Sequence, residues 1–303
     1  MKQNPVYKRE DRVAARSLRL PVILAVFNGI LSGAALLNLY SAMSQVKAAA
    51  SIQYTSFMEM YGLVATIEFI MLMFLVPAMT AASLSGERER QTLDLMLTTL
   101  LTPFEIVSGK LMSALSTLVL LILSSFPAIT MVLAFGGVTW TDIGQLLLCY
   151  MAVALFAGSL GVCLSAAFKR STLATAAAYG MLAAVAAGTY FVNRFALTLD
   201  SNRLETYTAY LSGGQATASS GGLVYLLLLN PAATFYVTIS GQTGEGGVES
   251  LCRTFGVLPQ GWVMEHWVGV SAVLQLAVSA LLIWLAVRFI DPVRGKGRKR
   301  RER

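Results

Sequence analysis

Six stretches of this chain are apolar for about as long as a bilayer is thick, and no soluble fold accommodates them. They cover residues 21–43, 60–84, 106–135, 142–167, 171–195 and 267–290. About 20 apolar residues in a helix cross the ~30 Å of hydrocarbon. Only a helix or a closed barrel satisfies its backbone there. Charged residues make up 13% of the chain, roughly half the share of a soluble domain. A buried soluble helix would still need a polar face somewhere, and these runs have none. The expected fold class is an all-α integral membrane protein with six transmembrane helices. Pro127, inside the third run, predicts a kink.

Lys and Arg set the orientation, because they are retained on the cytoplasmic side. With the N-terminus inside, 19 of the 23 basic residues fall in inner segments. Only Lys47, Arg194, Arg203 and Arg253 fall outside. Both ends are therefore expected in the cytoplasm, and residues 85–103 with them. One stretch challenges this count: GGLVYLLLLNPAATFYVTIS, residues 221–240, is apolar enough for a seventh span. A seventh span would put the basic tail, 291–303, on the wrong side. Asn230-Pro231 also breaks the run in its middle. The stretch is read as a short helix that dips in or packs on the bundle and returns. It lies in a long outer loop, 196–266, whose Gly/Ser/Thr-rich parts read as flexible.

The expected organisation is one membrane domain over 1–303, with a basic lead-in helix at 1–20 rather than a cleaved signal. The net charge of +7 flanks apolar runs, so it points to the lipid bilayer and not to nucleic acid. Cys149, Cys163, Cys252 and the single His266 have no metal-ligand spacing. No nucleophile–base pair stands out. The chain is expected to hold no cofactor and no catalytic residue. Glu68 sits mid-span, where an ionised carboxylate costs at least about 2.5 kcal/mol. It reads either as a substrate-path or gating residue or as a hydrogen-bonded helix–helix contact. Gly158, Gly161 and Ser165, in AGSLGVCLSAAF, predict close approach of the fourth span to a neighbour.

The segment between the second and third runs is too polar to span and too regular for a loop. Leu93, Met96, Leu97, Leu100 and Leu101 make one helical stripe. Ser85 reads as its cap, with Glu87 and Glu89 in the first turn. Helices that lie on lipid favour Lys and Arg on the polar face. This one sets Glu87, Glu89 and Asp94 against Arg88 and Arg90, a mixture suited to ion pairing with a protein.

GERERQTLDLMLTTLLTPFEIVSGKL resembles the segment after the second span in permeases of the ABC-2 type, the membrane subunits of many ABC exporters. The resemblance rests on Glu87, Arg88, Glu89, Thr92, Leu93, Asp94, Leu97, Thr99, Thr102, Pro103, Glu105, Ile106, Gly109 and Lys110. NPVYKREDRVAARS is similar to the family's basic N-terminal helix, and LLLLNPAATF to its Leu-Asn-Pro element. Gln91 stands where the family usually has Gly, and Leu100 where it often has Pro. Both changes favour helix and predict a longer or straighter element.

The resemblance implies an ATP-driven exporter in the cell membrane, with a second permease subunit and a separate ABC ATPase that supplies ATP and Mg chemistry. The chain itself has no Gly-x-x-x-x-Gly-Lys-Ser/Thr. The ATPase-coupling residues implied are Glu87, Arg88, Glu89, Arg90, Thr92, Leu93, Asp94 and Leu97. Arg9, Arg12 and Arg16, one face of the lead-in helix, are expected at the inner interface, against lipid phosphate and, by the resemblance, the ATPase. A non-transporting scaffold or sensor subunit that anchors an ATPase is the alternative.

Overall fold

The computed structural model describes residues 4–49, 54–98, 101–135, 137–208, 218–258 and 261–291. It is all-α, with no strand among the described residues. A short helix α1 (Pro5–Ala15) leads into α2 (Arg19–Ala49) and α3 (Tyr54–Thr80). Two short helices follow, α4 (Ser85–Glu89) and α5 (Thr92–Leu97). Then come α6 (Pro103–Phe135), α7 (Trp140–Ala167) and α8 (Ser171–Ala183). A π-helical turn, Ala184–Gly188, joins α8 to α9 (Thr189–Thr208). The remainder is a 3-10 helix (Gly221–Leu229), α10 (Pro231–Gln242), α11 (Val248–Thr254), α12 (Trp262–Glu265) and α13 (Trp267–Ile290).

The six expected spans are present as Leu20–Ser41, Met58–Glu89, Pro103–Pro127, Trp140–Ala167, Ser171–Leu204 and Trp267–Ile290. α6 holds Pro127 within one continuous helix. One span differs in detail. The fifth helix continues past residue 195 to Thr208, because no Gly or Pro follows Gly188 until Gly213. The run at 221–240 is a bent pair of helices at 96°. The bend falls on Asn230-Pro231, where proline starts a helix but cannot continue one.

Caps in the sequence fix where helices begin. Thr102 and Glu105 form a reciprocal capping box around Pro103: the Thr102 amide donates to Glu105 Oε2 at 2.8 Å and the Glu105 amide to Thr102 Oγ1 at 3.2 Å. Thr139 and Asp142 do the same for α7, at 2.9 and 3.3 Å. Both follow the Ser/Thr-x-x-acid pattern and satisfy amides that a helix start leaves orphaned.

The chain divides into two compact units. The first holds 1–137, 154–180 and 276–303. Its α2, α3 and α6 pack on one another, and α1 lies on α6. Phe27, Leu31, Leu72, Leu118 and Leu121 are buried there. Gly161 lets α7 approach the end of α3: a Cβ at that position would sit 2.1 Å from Thr80 Oγ1. The second unit holds 138–153 and 181–275. Its core gathers Val224, Leu227, Leu251, Cys252, Phe255, Met264 and Trp267. The glycine-rich connection from α10 to α11 is a defined turn with Gly244, Gly246 and Gly247 at positive φ, the conformation that lacks a Cβ clash. Most of the other glycine-rich part lies outside the described residues, as do Leu100 and the tail from 292 onward.

Candidate functional site at the junction of α1, α4 and α6

The lead-in helix begins on Asn4-Pro5. Asn4 Oδ1 accepts from the Val6 amide at 3.0 Å, and its Nδ2 donates to the Glu105 carbonyl at 2.7 Å. One side chain therefore caps α1 and ties it to the first turn of α6. Tyr7 Oη lies 2.9 Å from Ser116 Oγ one level higher. Between them Val6 seats on Gly109, where an added Cβ would meet Val6 Cβ at 2.8 Å. Gly109 is thus a close-approach residue, and Lys110 is carried into the same seam.

Lys110 is the centre of the site. Its Nζ donates to Glu10 Oε1 at 2.7 Å and to Glu87 Oε1 at 2.6 Å. The lysine side chain is 8% exposed, Glu87 15% and Glu10 28%. Taking an ammonium out of water costs several kcal/mol, so it persists there only because two carboxylates meet it. The three residues come from α1, α4 and α6, so one buried ion pair network joins three helices.

The other sides of α4 are also held. Ser165, buried at the end of α7, accepts from the amides of both Leu84 and Ser85 at 2.9 Å. Arg88 donates to the Phe168 carbonyl at 3.3 Å. Glu89 accepts from the Ser171 amide at 2.9 Å and from its hydroxyl at 2.8 Å, which caps α8. Two expectations change here. Ser85 does not cap α4 with its side chain; Ser165 supplies the oxygen instead. Glu89 does not sit in the first turn but closes the helix and caps another.

The expected single amphipathic helix is two helices with a turn at Arg90-Gln91. Gln91 has φ 58°, the left-handed region that costs an L-residue about 1 kcal/mol and costs glycine none. The position where the related pattern usually carries Gly keeps the glycine conformation here without the glycine. That is why Gln91 does not lengthen the helix. Beyond the turn, Thr92 Oγ1 donates back to the Glu87 carbonyl at 3.1 Å, and Leu93 is buried. Met96 and Leu97 are half-buried, and Arg90 and Leu95 are exposed. Asp94 lies on α5, its side chain outside the described part.

On α1, Arg9, Arg12 and Arg16 are exposed on a face away from α6. Arg9 Nη1 reaches Met96 Sδ at 3.9 Å, a contact between the lead-in helix and α5. Glu68 is away from this junction. It is fully buried between α3 and α6, and Ser125 Oγ donates to it at 2.6 Å. The sequence singled out Glu87, Glu89 and, by the resemblance, Lys110, but did not pair them. Glu10, Ser165 and Ser171 are ordinary polar residues in local context. Lys110 carried a signal, a lysine followed by an almost unbroken apolar run.

The second unit repeats the Asn-Pro device. Asn230 Oδ1 accepts from the Ala232 amide at 2.9 Å to cap α10. Its Nδ2 donates to the Ala186 carbonyl at 2.9 Å and to Thr189 Oγ1 at 2.8 Å, on and just after the π-helical turn. Beside it is a largely apolar cavity of about 810 Å³, with Tyr190, Phe191, Tyr236 and Phe255 on its walls. Among the described residues no three His, Cys, Asp or Glu side chains gather to hold a metal.

The described residues hold six helices long and apolar enough to cross a membrane, and a buried lysine joins the lead-in helix to the end of the second of them. The chain's family follows from comparison. The family described as ABC-2 family transporter protein matches residues 4–199, well over half the chain, and the chain belongs to it. The match starts on Asn4, the cap of α1, takes in the whole junction and ends inside α9. Comparison with curated proteins finds none that matches. The chain is a membrane subunit of an ABC transporter.

Proposed function

We propose that this subunit couples ATP hydrolysis by a separate ABC ATPase to export of a substrate, with α4 and α5 as the element that receives the motion. The observation that carries the reading is the bonding of α4. Through Glu87, Leu84, Ser85, Arg88 and Glu89 it is joined to α6, to the end of α7 and to α8, and Lys110 carries the link on to α1. A push on this element reaches four helices at once. Energy for the change of state comes from nucleotide binding in the partner, since a shift needs a ligand that favours one state. Both termini and α4–α5 face the cytoplasm of the cell membrane on this reading, by the asymmetry of Lys and Arg. A second permease copy or relative completes the path. Export as the direction rests on the family resemblance.

Glu68 is proposed as a gating residue on the same reading. Its bond to Ser125 crosses the seam between α3 and α6, so a relative movement of those spans must keep or break it.

Arg90 and Leu95 are exposed, and among the described residues neither side chain bonds across the junction. The test is Arg90→Ala with Leu95→Ser in the chain co-expressed with its ATPase. The thermal midpoint should stay unchanged while ATPase recovery on purification and transport both fall. Full recovery and full transport would refute the coupling role of α4–α5.

A further inference from the structure

Beside the charge network lies a cleft of about 470 Å³, within the first unit. Its polar end is Glu10 and Lys110. Its walls are Leu20 and Ile23 of α2 and Leu75, Ala78 and Met79 of α3. Ser17, Ser83, Ser113 and Thr117 are also on its lining. The cleft straddles the start of a span: Glu10 and Ser17 precede Leu20, the first residue of the Leu20–Ser41 span. Only 11% of that span's apolar window is buried inside the protein, which leaves most of it open to an apolar surrounding.

We infer that the cleft holds one phospholipid of the surrounding bilayer, chosen for a primary ammonium in its headgroup. The polarity fits an amphiphile, because charged, hydroxyl and apolar side chains share one cleft. Charge selects the headgroup. Lys110 is shared between Glu10 and Glu87, so the network as a whole carries one negative charge in excess, and Glu10 is the carboxylate it presents to the cleft. The α1 face that lines the cleft is Glu10, Val13, Ala14 and Ser17, and its exposed arginines lie to the other side. An ammonium with N–H groups supplies charge and donors together, and a charge-assisted bond is the stronger kind. A choline headgroup brings the charge without N–H, and a glycerol headgroup brings neither. The inference does not depend on the ATPase reading.

The experiment is native mass spectrometry of the full chain in mild detergent, titrated with ethanolamine, choline and glycerol phospholipids of identical acyl chains. The ethanolamine lipid should bind tighter than the other two by roughly tenfold, about 1.4 kcal/mol. Glu10→Gln should bring it close to the choline lipid. Ala78→Trp, which fills the apolar end, should remove the selective site and leave unselective lipid binding. Equal binding of the three lipids, or a preference for the glycerol lipid, overturns the proposal, and this comparison on the unaltered chain requires no variant to fold. Selective binding that survives Ala78→Trp overturns the location. Displacement by acyl-free glycerophosphoethanolamine at similar concentration overturns the lipid as occupant.

Discussion

Replacing Lys110 by Met keeps most of the side-chain volume and removes only the charge. Two carboxylates then face each other across the space Lys110 filled. Breaking a buried ion pair by deleting one partner costs about 3–5 kcal/mol, because the remaining charge is left without compensation. Glu87, 15% exposed, falls in that class. Glu10, 28% exposed, turns to water more readily, and its share is below about 1 kcal/mol. The expected loss for Lys110→Met is therefore about 3 kcal/mol, nearly all through Glu87. Adding Glu87→Gln should recover about half of it, since a neutral amide tolerates burial better than a lone carboxylate. Glu10→Gln alone should change stability by about 0.5 kcal/mol. The assay is SDS titration in mixed micelles, followed by tryptophan fluorescence, run as a double-mutant cycle on Lys110 and Glu87. A coupling of about 2 kcal/mol is expected for groups in direct contact. Strict additivity, or a Lys110→Met protein as stable as wild type, would show that hydrophobic packing alone joins α1, α4 and α6.

Gly161→Ala places a methyl against Thr80 and should destabilise by about 1–3 kcal/mol; Thr80→Ala in the same chain should restore most of it, measured by the same titration. Gln91→Gly relieves a left-handed residue and should stabilise α4–α5 by up to about 1 kcal/mol, seen as slower proteolysis within residues 85–98. Cys252 is buried, and burial, with the Glu249 carboxylate second, pushes its thiol up from the ordinary value. A charged maleimide should therefore fail to label Cys252 in the folded chain at pH 8 and label it once SDS unfolds the protein. Because the folded state holds this proton longer than the unfolded one, the same shift removes stability as pH rises through the ordinary thiol range.

The membrane architecture was legible because it is written in long, redundant signals. Six apolar runs each tolerate many substitutions, and Asn230-Pro231 forbids a straight seventh helix on backbone grounds alone. Gly161 was legible for the same kind of reason: a small residue every few positions in an apolar helix permits close approach. The helix starts were less so: the apolar runs begin at 106 and 142, whereas the capping boxes at Thr102 and Thr139 start the helices at Pro103 and Trp140. The junction was not. Glu10 and Glu87 are 77 positions apart, and each alone reads as a solvated acid. Only the packing of α1 on α6, set by Val6 on Gly109, brings Glu10 to Lys110. Pairing across three helices is a tertiary fact, and local pattern holds no information on it.

The break in the α4–α5 segment has a physical reason that propensity misses. On a straight helix Glu89 and Leu93, four positions apart, would share a face. They need opposite surroundings. Glu89 must stay with water and the amide of Ser171, whereas Leu93 must be buried. Placing Leu93 in apolar contact is worth about 2 kcal/mol, and the α8 cap about 1 kcal/mol more. The left-handed turn at Gln91 costs about 1 kcal/mol, so the broken form wins even with an unfavourable residue at the hinge. The turn also divides the segment mechanically. α4 is fixed by bonds on every side, whereas α5 is held through Thr92, Leu93 and one contact from Arg9. On the proposed reading, a force applied to α5 reaches α4 across this turn, and from α4 it passes to α6, α7 and α8 through the bonds of Glu87, Ser85 and Glu89.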